Sequence, residues 1–170
     1  MKIRLVPANT HPELLEIPLR WSLDLWGKGK EEFSEEDWID FYQRVQKSDY
    51  QTWNLNSDGK ELLYLVMPEE SPEVIGVIGL CDFDDLEEFR HLRPWICAFI
   101  VREDLRGMGI GRQIISEIEH MAKSFGIETV YLWTEDQMGF YLKLGYSKID
   151  ELKKLNRHIH VMSKSLISLI

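Results

Sequence analysis

The chain has 170 residues, a length that suits one domain, and 44% of them are hydrophobic, enough for a sizeable core. The formal net charge is -9 at pH 7, which argues against a general affinity for nucleic acid or for an anionic membrane surface. The same charge favours a cationic partner.

The first half of the chain predicts a strand, two helices and a pair of strands. Alternating apolar residues indicate the strands, and apolar residues at helical spacing indicate the helices. Ser34 is a good N-cap for the second helix, with Asp37 three residues later. These elements cover, in chain order, 1–7, 12–26, 33–46, 61–67 and 73–80.

The second half predicts a buried strand, a long helix, a strand, a short helix and two closing strands. The run WICAFIV is almost entirely apolar, which predicts a central strand buried on both faces. Gly126 is a natural C-cap for the long helix, and Gly145 closes the short one. The elements cover 95–101, 110–125, 129–134, 137–145, 146–152 and 157–163, and with the first half they form one mixed α/β or α+β domain, residues 1–170.

The two cysteines, Cys81 and Cys97, both lie in apolar runs. Their spacing matches neither a zinc motif nor a disulfide framework, so we expect buried free thiols. The opening segment has no apolar signal core, and no run is long enough to span a membrane. These features predict a cytoplasmic protein with no membrane contact.

A glycine-rich turn joins the buried strand to the long helix. Gly107, Gly109 and Gly111 alternate there, with Arg106 and Arg112 on either side. Glycine lets the backbone approach a ligand closely, and the first amides of a helix are free to bind phosphate. The turn therefore predicts a phosphate or pyrophosphate ligand, against the alternative of a helix start that binds nothing.

Two other phosphate-binding motifs do not fit this turn. A P-loop requires a lysine after its last glycine, and none follows Gly111. A dinucleotide fingerprint counted from Gly107 requires glycine where Arg112 stands, and counted from Gly109 it requires glycine where Ile114 stands.

The stretch from Arg106 to Gly111, RGMGIG, resembles the Arg/Gln-x-x-Gly-x-Gly signature of the GNAT superfamily of acyl-CoA-dependent N-acyltransferases. The stretch FYLKLGY, from Phe140 to Tyr146, is similar to the second motif of that superfamily. One helix and one strand separate the two motifs, as in the family. The resemblance implies a mixed, mostly antiparallel central sheet with splayed central strands, flanked by helices.

The resemblance also implies acetyl-CoA as the acyl donor. The amides from about Leu105 to Arg112 would bind its pyrophosphate, and the end of the preceding strand would pair its main chain with the pantetheine arm. The expected cofactor-binding residues are Phe99, Ile100, Val101, Arg106, Gly107, Met108, Gly109, Ile110, Gly111 and Arg112.

The resemblance assigns Tyr141 as the general acid that protonates the leaving thiolate. A phenol with an ordinary pKa near 10 is protonated at neutral pH and can donate; the alternative is a purely structural tyrosine. Many family members carry Asn seven residues earlier, where this chain has Thr134, so we leave Thr134 out of the site. No metal site is expected, because His158 and His160 alternate on the side of the last strand that faces away from the core.

The general base stays open between several side chains, each of which could equally be a solvated loop charge. The candidates are Asp82, Asp84, Asp85, His91 and Glu135. Five acids crowd 82–88, and more occupy EEFSEED at 31–37, so the acceptor is expected to be a cationic primary amine on a small molecule or a peptide. Trp26 and Trp95 could supply an aromatic wall for it.

The sequence thus predicts an N-acetyltransferase that moves an acetyl group from acetyl-CoA to an amine by direct attack. The alternatives are a catalytically silent coenzyme A sensor and an interaction module. Nucleic acid is not an expected partner, because acidic patches leave little basic surface. The apolar tail LISLI, 166–170, could seal a sheet edge or form a homodimer contact.

Overall fold

The computed structural model describes residues 1–27, 34–54, 59–154 and 156–168. Within these ranges, seven strands form one sheet in the order β1-β2-β3-β4-β5-β7-β6. The strands are β1 (Ile3–Pro7), β2 (Glu61–Pro68), β3 (Gly76–Cys81), β4 (Trp95–Val101), β5 (Thr129–Thr134), β6 (Ser147–Lys154) and β7 (Arg157–Ser165). Neighbouring strands are antiparallel except β4 and β5, which are parallel, so the mostly antiparallel sheet is confirmed.

Four α-helices accompany the sheet in the described part of the chain: α1 (Glu16–Ser22), α2 (Glu35–Val45), α3 (Ile110–Ser124) and α4 (Met138–Lys143). α1 continues as a π-helical turn over Leu23–Gly27. The helix predicted from residue 12 begins later, because Pro12–Leu14 forms a separate 3-10 turn. None of the helices that the structure describes is long and apolar enough to cross a membrane.

Local signals in the sequence place the helix ends well. Ser34 caps α2 by accepting from the Asp37 amide at 3.1 Å, which confirms the predicted N-cap, and Asp37 accepts from the Ser34 amide at 2.8 Å, which completes a capping box. Phe33, at the start of the predicted helix, lies outside the described residues, as do the acids Glu31 and Glu32. Gly126 and Gly145 have φ of 80° and 89°, as helix-closing glycines should.

The main core lies around β2 and β3. All six residues of β3 are buried, and so is the interior of β2, because elements cover both faces of the sheet there. A second, smaller cluster forms against the acidic loop after β3 and contains Leu86, Phe89, Trp95, Ile159 and Val161. Between the two clusters the sheet opens, and that opening positions the candidate site.

The end of the chain packs against the sheet. Leu166 is buried, and its amide donates to the Glu128 carbonyl at 2.7 Å, so it packs at the start of β5. Ile167 is exposed, and residues 169–170 of the apolar tail lie outside the described residues. The homodimer stays a prediction.

Candidate active site

The strands β4 and β5 diverge shortly after they meet. In the described residues they share one register pair, Trp95 with Tyr131, next to a hydrogen bond of 3.0 Å from the Tyr131 amide to the Pro94 carbonyl. Beyond Trp95 the main chain of β4 has no strand partner on the β5 side within the described ranges. Unpaired peptide groups at such an edge can bind an amide-rich ligand.

A β-bulge between β3 and β4 helps β4 turn away from β5. The register with β3 shifts between Val77 and Gly79, and Ala98 adopts a φ of 48° opposite that shift. A Cβ on Gly79 would lie 2.6 Å from the Cys97 Sγ, so only glycine lets β3 approach β4 this closely. The bulge leaves Cys97, Ala98 and Phe99 half-buried, and Val101 at the end of the strand is half-buried too. The prediction that β4 is buried on both faces is wrong for these four residues.

A cavity of about 260 Å³ fills the gap between the two strands. Tyr141 and Phe99 line it, together with three of the carboxylates proposed from the sequence. Its walls come from the start of the chain, both splayed strands, the acidic loop and α4: Trp26, Trp38, Asp84, Asp85, Leu86, Ile96, Cys97, Ala98, Phe99, Leu132, Trp133, Thr134, Glu135, Asp136, Gln137, Tyr141 and Arg157.

The glycine turn presents free backbone amides at the start of α3. Gly107 and Gly109 have φ of 77° and 81°, and Gly109 is the N-cap residue. Within the described residues, the amides of 107–112 make no backbone hydrogen bond, whereas the next amide, of Gln113, donates to the Gly109 carbonyl at 3.3 Å. Six consecutive free amides at a helix N-terminus make a ready anion site.

The arginine that opens the signature braces the turn. The Arg106 Nε donates to the Val101 carbonyl at 3.0 Å, which ties the turn to the end of β4. The amides of Leu105 and Arg106 already donate to the Arg102 and Glu103 carbonyls. The free amides therefore run from 107 to 112, and the predicted range from Leu105 to Arg112 is too long by the amides of Leu105 and Arg106.

The two sequence motifs meet in space at Gly111. A Cβ on Gly111 would lie 3.4 Å from the Phe140 Cζ and 3.6 Å from the Phe99 Cζ. The start of α3, the end of β4 and the start of α4 therefore pack together at one point. Of the other predicted cofactor residues, Ile100 and Ile110 are buried in the core, whereas Met108 and Arg112 are exposed beside the free amides.

Tyr141 is buried and borders the cavity. Its ring packs edge-on against Phe140 and Tyr146, at centroid distances of 5.1 and 5.7 Å. Burial raises the pKa of the Tyr141 phenol to about 12. Because its pKa is raised, the phenol stays protonated through the neutral range and can donate a proton.

Thr134 has a role at the end of β5 that explains its burial. Its Oγ1 accepts from the Gln137 amide at 3.0 Å and so holds the turn that leads into α4. Thr134 also lines the cavity. The threonine therefore positions the helix that carries Tyr141.

The candidate bases separate clearly in the structure. Asp84, Asp85 and Glu135 line the cavity, and Asp82 does not. Asp82 is buried elsewhere, where it accepts from the Lys60 amide at 2.7 Å and contacts Arg93 at 3.2 Å. His91 packs beside Phe89 and does not line the cavity either.

Among the three remaining acids, Asp84 has the most perturbed environment. Desolvation, with a further contribution from the neighbouring Asp85 carboxylate, raises the pKa of Asp84 well above its ordinary value. Glu135 instead forms an ion pair with Arg157. Asp84 is thus the carboxylate most easily protonated at this site.

The aromatic wall differs in part from the prediction. Trp26 lines the cavity and stacks on Trp38, with ring centroids 5.2 Å apart and an interplanar angle of 19°. Trp95 is instead buried in the second cluster, where its Nε1 donates to the Leu92 carbonyl at 2.7 Å. The expectation that Trp95 faces the acceptor is wrong, because its ring packs against Tyr131 in that cluster and does not line the cavity.

Three residues that line the cavity are not predicted from the sequence: Cys97, Trp133 and Arg157. Arg157 lies at the start of β7, and its guanidinium carbon is 5.3 Å from the centre of the Trp133 ring. No local pattern marks it, because the antiparallel pairing of β7 with β5 brings it to the cavity. Cys97 lies 2.9 Å from Cys81, Sγ to Sγ, and both thiols are free, as predicted, but Cys97 is half-buried, so the prediction of burial is wrong for it.

Comparison with known proteins gives one family. The family model described as the acetyltransferase (GNAT) family matches residues 30–146, which include both motifs. The chain is also 40% identical over 109 residues to N-alpha-acetyltransferase 80 of Mus musculus. That match covers 63% of this chain and 34% of the relative, so the chain corresponds to about a third of that protein.

Solved structures share the fold over almost their full length. An aminoglycoside 6'-N-acetyltransferase complexed with coenzyme A superposes with a TM-score of 0.70 at 18% identity, covering 100% of this chain and 99% of that one. The yncA protein of Salmonella typhimurium, solved with its cofactor acetyl-CoA, superposes with a TM-score of 0.63 at 17% identity, covering 100% and 96%.

Proposed function

The chain belongs to the GNAT family of acetyltransferases, and from that premise we propose that it is an acetyl-CoA-dependent N-acetyltransferase acting on a primary amine. The observation that carries the proposal is the cavity between the diverging strands β4 and β5. It is bordered by Tyr141 and by carboxylates, and it adjoins the strand that leads into the turn of free amides. Donor binding, proton transfer and amine recognition thus each have residues within one continuous region.

The donor fits along β4 and the glycine turn. The free amides of 107–112 bind the pyrophosphate. The main-chain groups of Phe99, Ile100 and Val101 that have no strand partner on the β5 side pair with the pantetheine amides, apart from the Val101 carbonyl, which already accepts from Arg106. Arg106 and Arg112 add positive charge beside the phosphates. Acetyl-CoA supplies the acetyl thioester, whose carbonyl would then lie near the bulge of β4, where a main-chain amide polarises it.

The transfer needs a neutral amine and a protonated leaving group. The amine nitrogen attacks the carbonyl carbon, the C–S bond breaks, and the phenol of Tyr141 gives its proton to the departing sulfur. The ammonium form of the acceptor first gives one proton to a carboxylate on the acceptor side, and the second proton, lost after attack, restores the phenol of Tyr141. Asp84 serves as that carboxylate, because its raised pKa makes it a stronger base than an ordinary carboxylate.

The acceptor is a cationic amine. Asp84, Asp85, Glu135 and Asp136 all line the cavity and outnumber the arginine there, Arg157, which pairs with Glu135, so the acids attract an ammonium group. The stacked rings of Trp26 and Trp38 offer a face for cation–π contact.

The first experiment is calorimetric titration of the chain with acetyl-CoA and with free coenzyme A. We expect binding in the micromolar range, weakened at least about tenfold by Arg106→Glu. That variant reverses the charge at the turn and removes the bond to the Val101 carbonyl. Lys123→Glu is the matched control, because it makes the same charge change at the far, exposed end of α3.

Thiol release on a panel of amines then separates the alternatives. Turnover with cationic amines supports the proposal, and transfer only to neutral or anionic acceptors contradicts the cationic acceptor. Binding without turnover on any amine indicates a coenzyme A sensor. Failure to bind at millimolar ligand overturns the acetyltransferase function and favours an interaction module.

A further inference from the structure

Three potential metal ligands meet on the hairpin formed by β6 and β7. Glu151 of β6 lies directly opposite His160 of β7 in the register, and His158 lies two residues from His160. Because side chains alternate along a strand, His158 and His160 project from the same face. One ligand atom from each of the three residues lies within 4.8 Å of the other two.

The contacts within the group are already close. The Glu151 Oε2 lies 2.8 Å from the His158 Nε2, and the two imidazole rings have centroids 4.3 Å apart. The Nδ1 of His160 is buried and makes no hydrogen bond to any described residue. A buried ring nitrogen without a partner carries a free-energy cost, which a cation bound to that nitrogen would remove.

We propose that Glu151, His158 and His160 form a Zn²⁺ site. Two imidazole nitrogens and one carboxylate oxygen are a set that Zn²⁺ accepts, with water in the fourth position. Mg²⁺ and Ca²⁺ prefer oxygen ligands, so this nitrogen-rich set disfavours them. None of the three residues lines the cavity between β4 and β5, so the site is separate from the acetyl-transfer site.

The site has no signature in the sequence, which shows only two histidines on an outward face. The third ligand lies on the neighbouring strand and joins them only through the pairing of β6 with β7. β6 is an edge strand of the sheet and is largely exposed. A metal bridging Glu151 to both histidines would fasten this edge to β7.

One cation competes for the carboxylate. The Lys148 Nζ lies 2.6 Å from the Glu151 Oε2, so Zn²⁺ must displace the ammonium from that oxygen or share the carboxylate with it. Removing this lysine charge without shortening the side chain much gives a direct test. Lys148→Met should bind Zn²⁺ several-fold more tightly than the unaltered chain, and weaker binding would count against the site.

The experiment is calorimetric titration of the chelator-treated full chain with Zn²⁺, repeated with Co²⁺ read by absorption. We expect one metal ion per chain, with affinity reduced more than about tenfold by His158→Ala, His160→Ala or Glu151→Gln, since losing a direct ligand exceeds the usual loss of an outer partner. The variants are expected to fold, because His158 and Glu151 are exposed. A thermal melt adds a second readout, as Zn²⁺ should raise the Tm of the unaltered chain and not of His160→Ala.

Two controls exclude other ligands. His120→Ala removes an exposed histidine of α3 and should leave Zn²⁺ affinity unchanged. Cys97→Ser removes one of the two close thiols and should also leave it unchanged. Absence of binding, binding that survives both His158→Ala and His160→Ala, or a Co²⁺ spectrum with a thiolate charge-transfer band would each overturn the proposal.

Discussion

Tyr141 is the residue on which the proposed chemistry depends most. Its ring is fixed by Phe140 and Tyr146, and burial raises the pKa of its phenol to about 12. Fixed orientation and a protonated hydroxyl are what a proton donor to a departing thiolate needs. The same burial would suit a structural tyrosine, so kinetics must separate the two roles.

Tyr141→Phe should lower kcat by about 10²- to 10⁴-fold, the usual contribution of a positioned general acid. The KM for acetyl-CoA should change little, because the phenol is expected to matter most when the C–S bond breaks. Steady-state thiol release across a range of both substrates measures this. Tyr131→Phe is the control, since that ring contacts Trp95 away from the cavity, and unchanged kcat in Tyr141→Phe would remove the tyrosine from the mechanism.

A second prediction concerns Asp84 and the way in which the stability of the folded chain depends on pH. The folded state raises the pKa of Asp84 above its unfolded value near 3.9, so the folded state holds the proton more tightly. Protonated Asp84 therefore contributes to the free energy of unfolding in full below about pH 4. This contribution is lost as pH rises through the pKa that Asp84 has in the folded state. Asp84→Asn removes this loss, so the Tm of the variant minus that of the unaltered chain should increase from pH 4 to pH 8.

Thermal melts at both pH values test that sign, and kcat should fall in the same variant. Asp85→Asn is the comparison, because Asp85 is exposed and contributes to the Asp84 shift through its charge. A Tm difference that narrows as pH rises would contradict a raised pKa at Asp84.

At the scale of elements, the glycine turn depends on backbone conformation more than on space. A Cβ on Gly107 or Gly109 would meet nothing within 4 Å, yet both residues have positive φ. Both positions therefore require glycine because of their backbone conformation. As a consequence, no side chain at these positions blocks a ligand from the free amides. At Gly111 the reason differs, since two phenylalanine rings lie close to where a Cβ would be.

Gly109→Ala should lower the free energy of unfolding by about 1 to 2 kcal/mol, the usual cost of placing alanine in the left-handed region. Coenzyme A affinity should fall about tenfold, because the turn relaxes away from the conformation that aims its amides. Gly139→Ala is the control: its Cβ would meet nothing, its φ is not positive, and it lies in α4. Denaturant unfolding and calorimetry measure both variants, and equal behaviour of the two would contradict a conformational requirement for glycine in the turn.

The positions of the helices and strands can be predicted from the sequence because the signals for them are local. The capping box at Ser34, the glycines that follow α3 and α4 and the apolar run of β4 each act within a few residues. Most helices and strands therefore fall close to their predicted bounds, whereas α1 and β3 begin four and three residues later than predicted. The outward exposure of β4 at Cys97 to Phe99 could not be read locally, because it depends on where β5 leaves the sheet.

At the scale of the whole molecule, charge should govern access to the cavity. The net charge of -9 and the carboxylates around the cavity attract a cationic acceptor over distances longer than a contact. The effect weakens with salt, because the Debye length shortens from about 30 Å at 0.01 M to about 8 Å at 0.15 M.

The kcat/KM for a cationic amine should therefore fall steeply over that range of ionic strength. A hydrazide, whose amine is neutral at the assay pH, serves as the control acceptor and should show little salt dependence. Thiol release at fixed acetyl-CoA measures both. The same slope for both acceptors would contradict electrostatic selection of the acceptor.

The order of elements and the glycine turn follow from the amino-acid sequence alone, whereas Tyr141 as the candidate proton donor is what the resemblance of its motif to the GNAT signature implies. These features are encoded by neighbouring residues: positive φ at glycines, an N-cap and its partner, and the spacing of apolar side chains. The proximity of Gly111 and Phe140, which joins the two motifs, exists only in the folded chain, where α3 and α4 pack together.

Only the tertiary structure decides which acids and which tryptophans line the cavity. It also decides that Glu151 lies beside His158 and His160. Asp82 and Asp84 are two residues apart, yet one is bound by Lys60 and Arg93 while the other borders the cavity. Trp95 and Arg157 likewise take positions set by strand pairing far along the chain. The physical reason is that side-chain direction in a sheet depends on register with strands distant in sequence, which no local pattern contains.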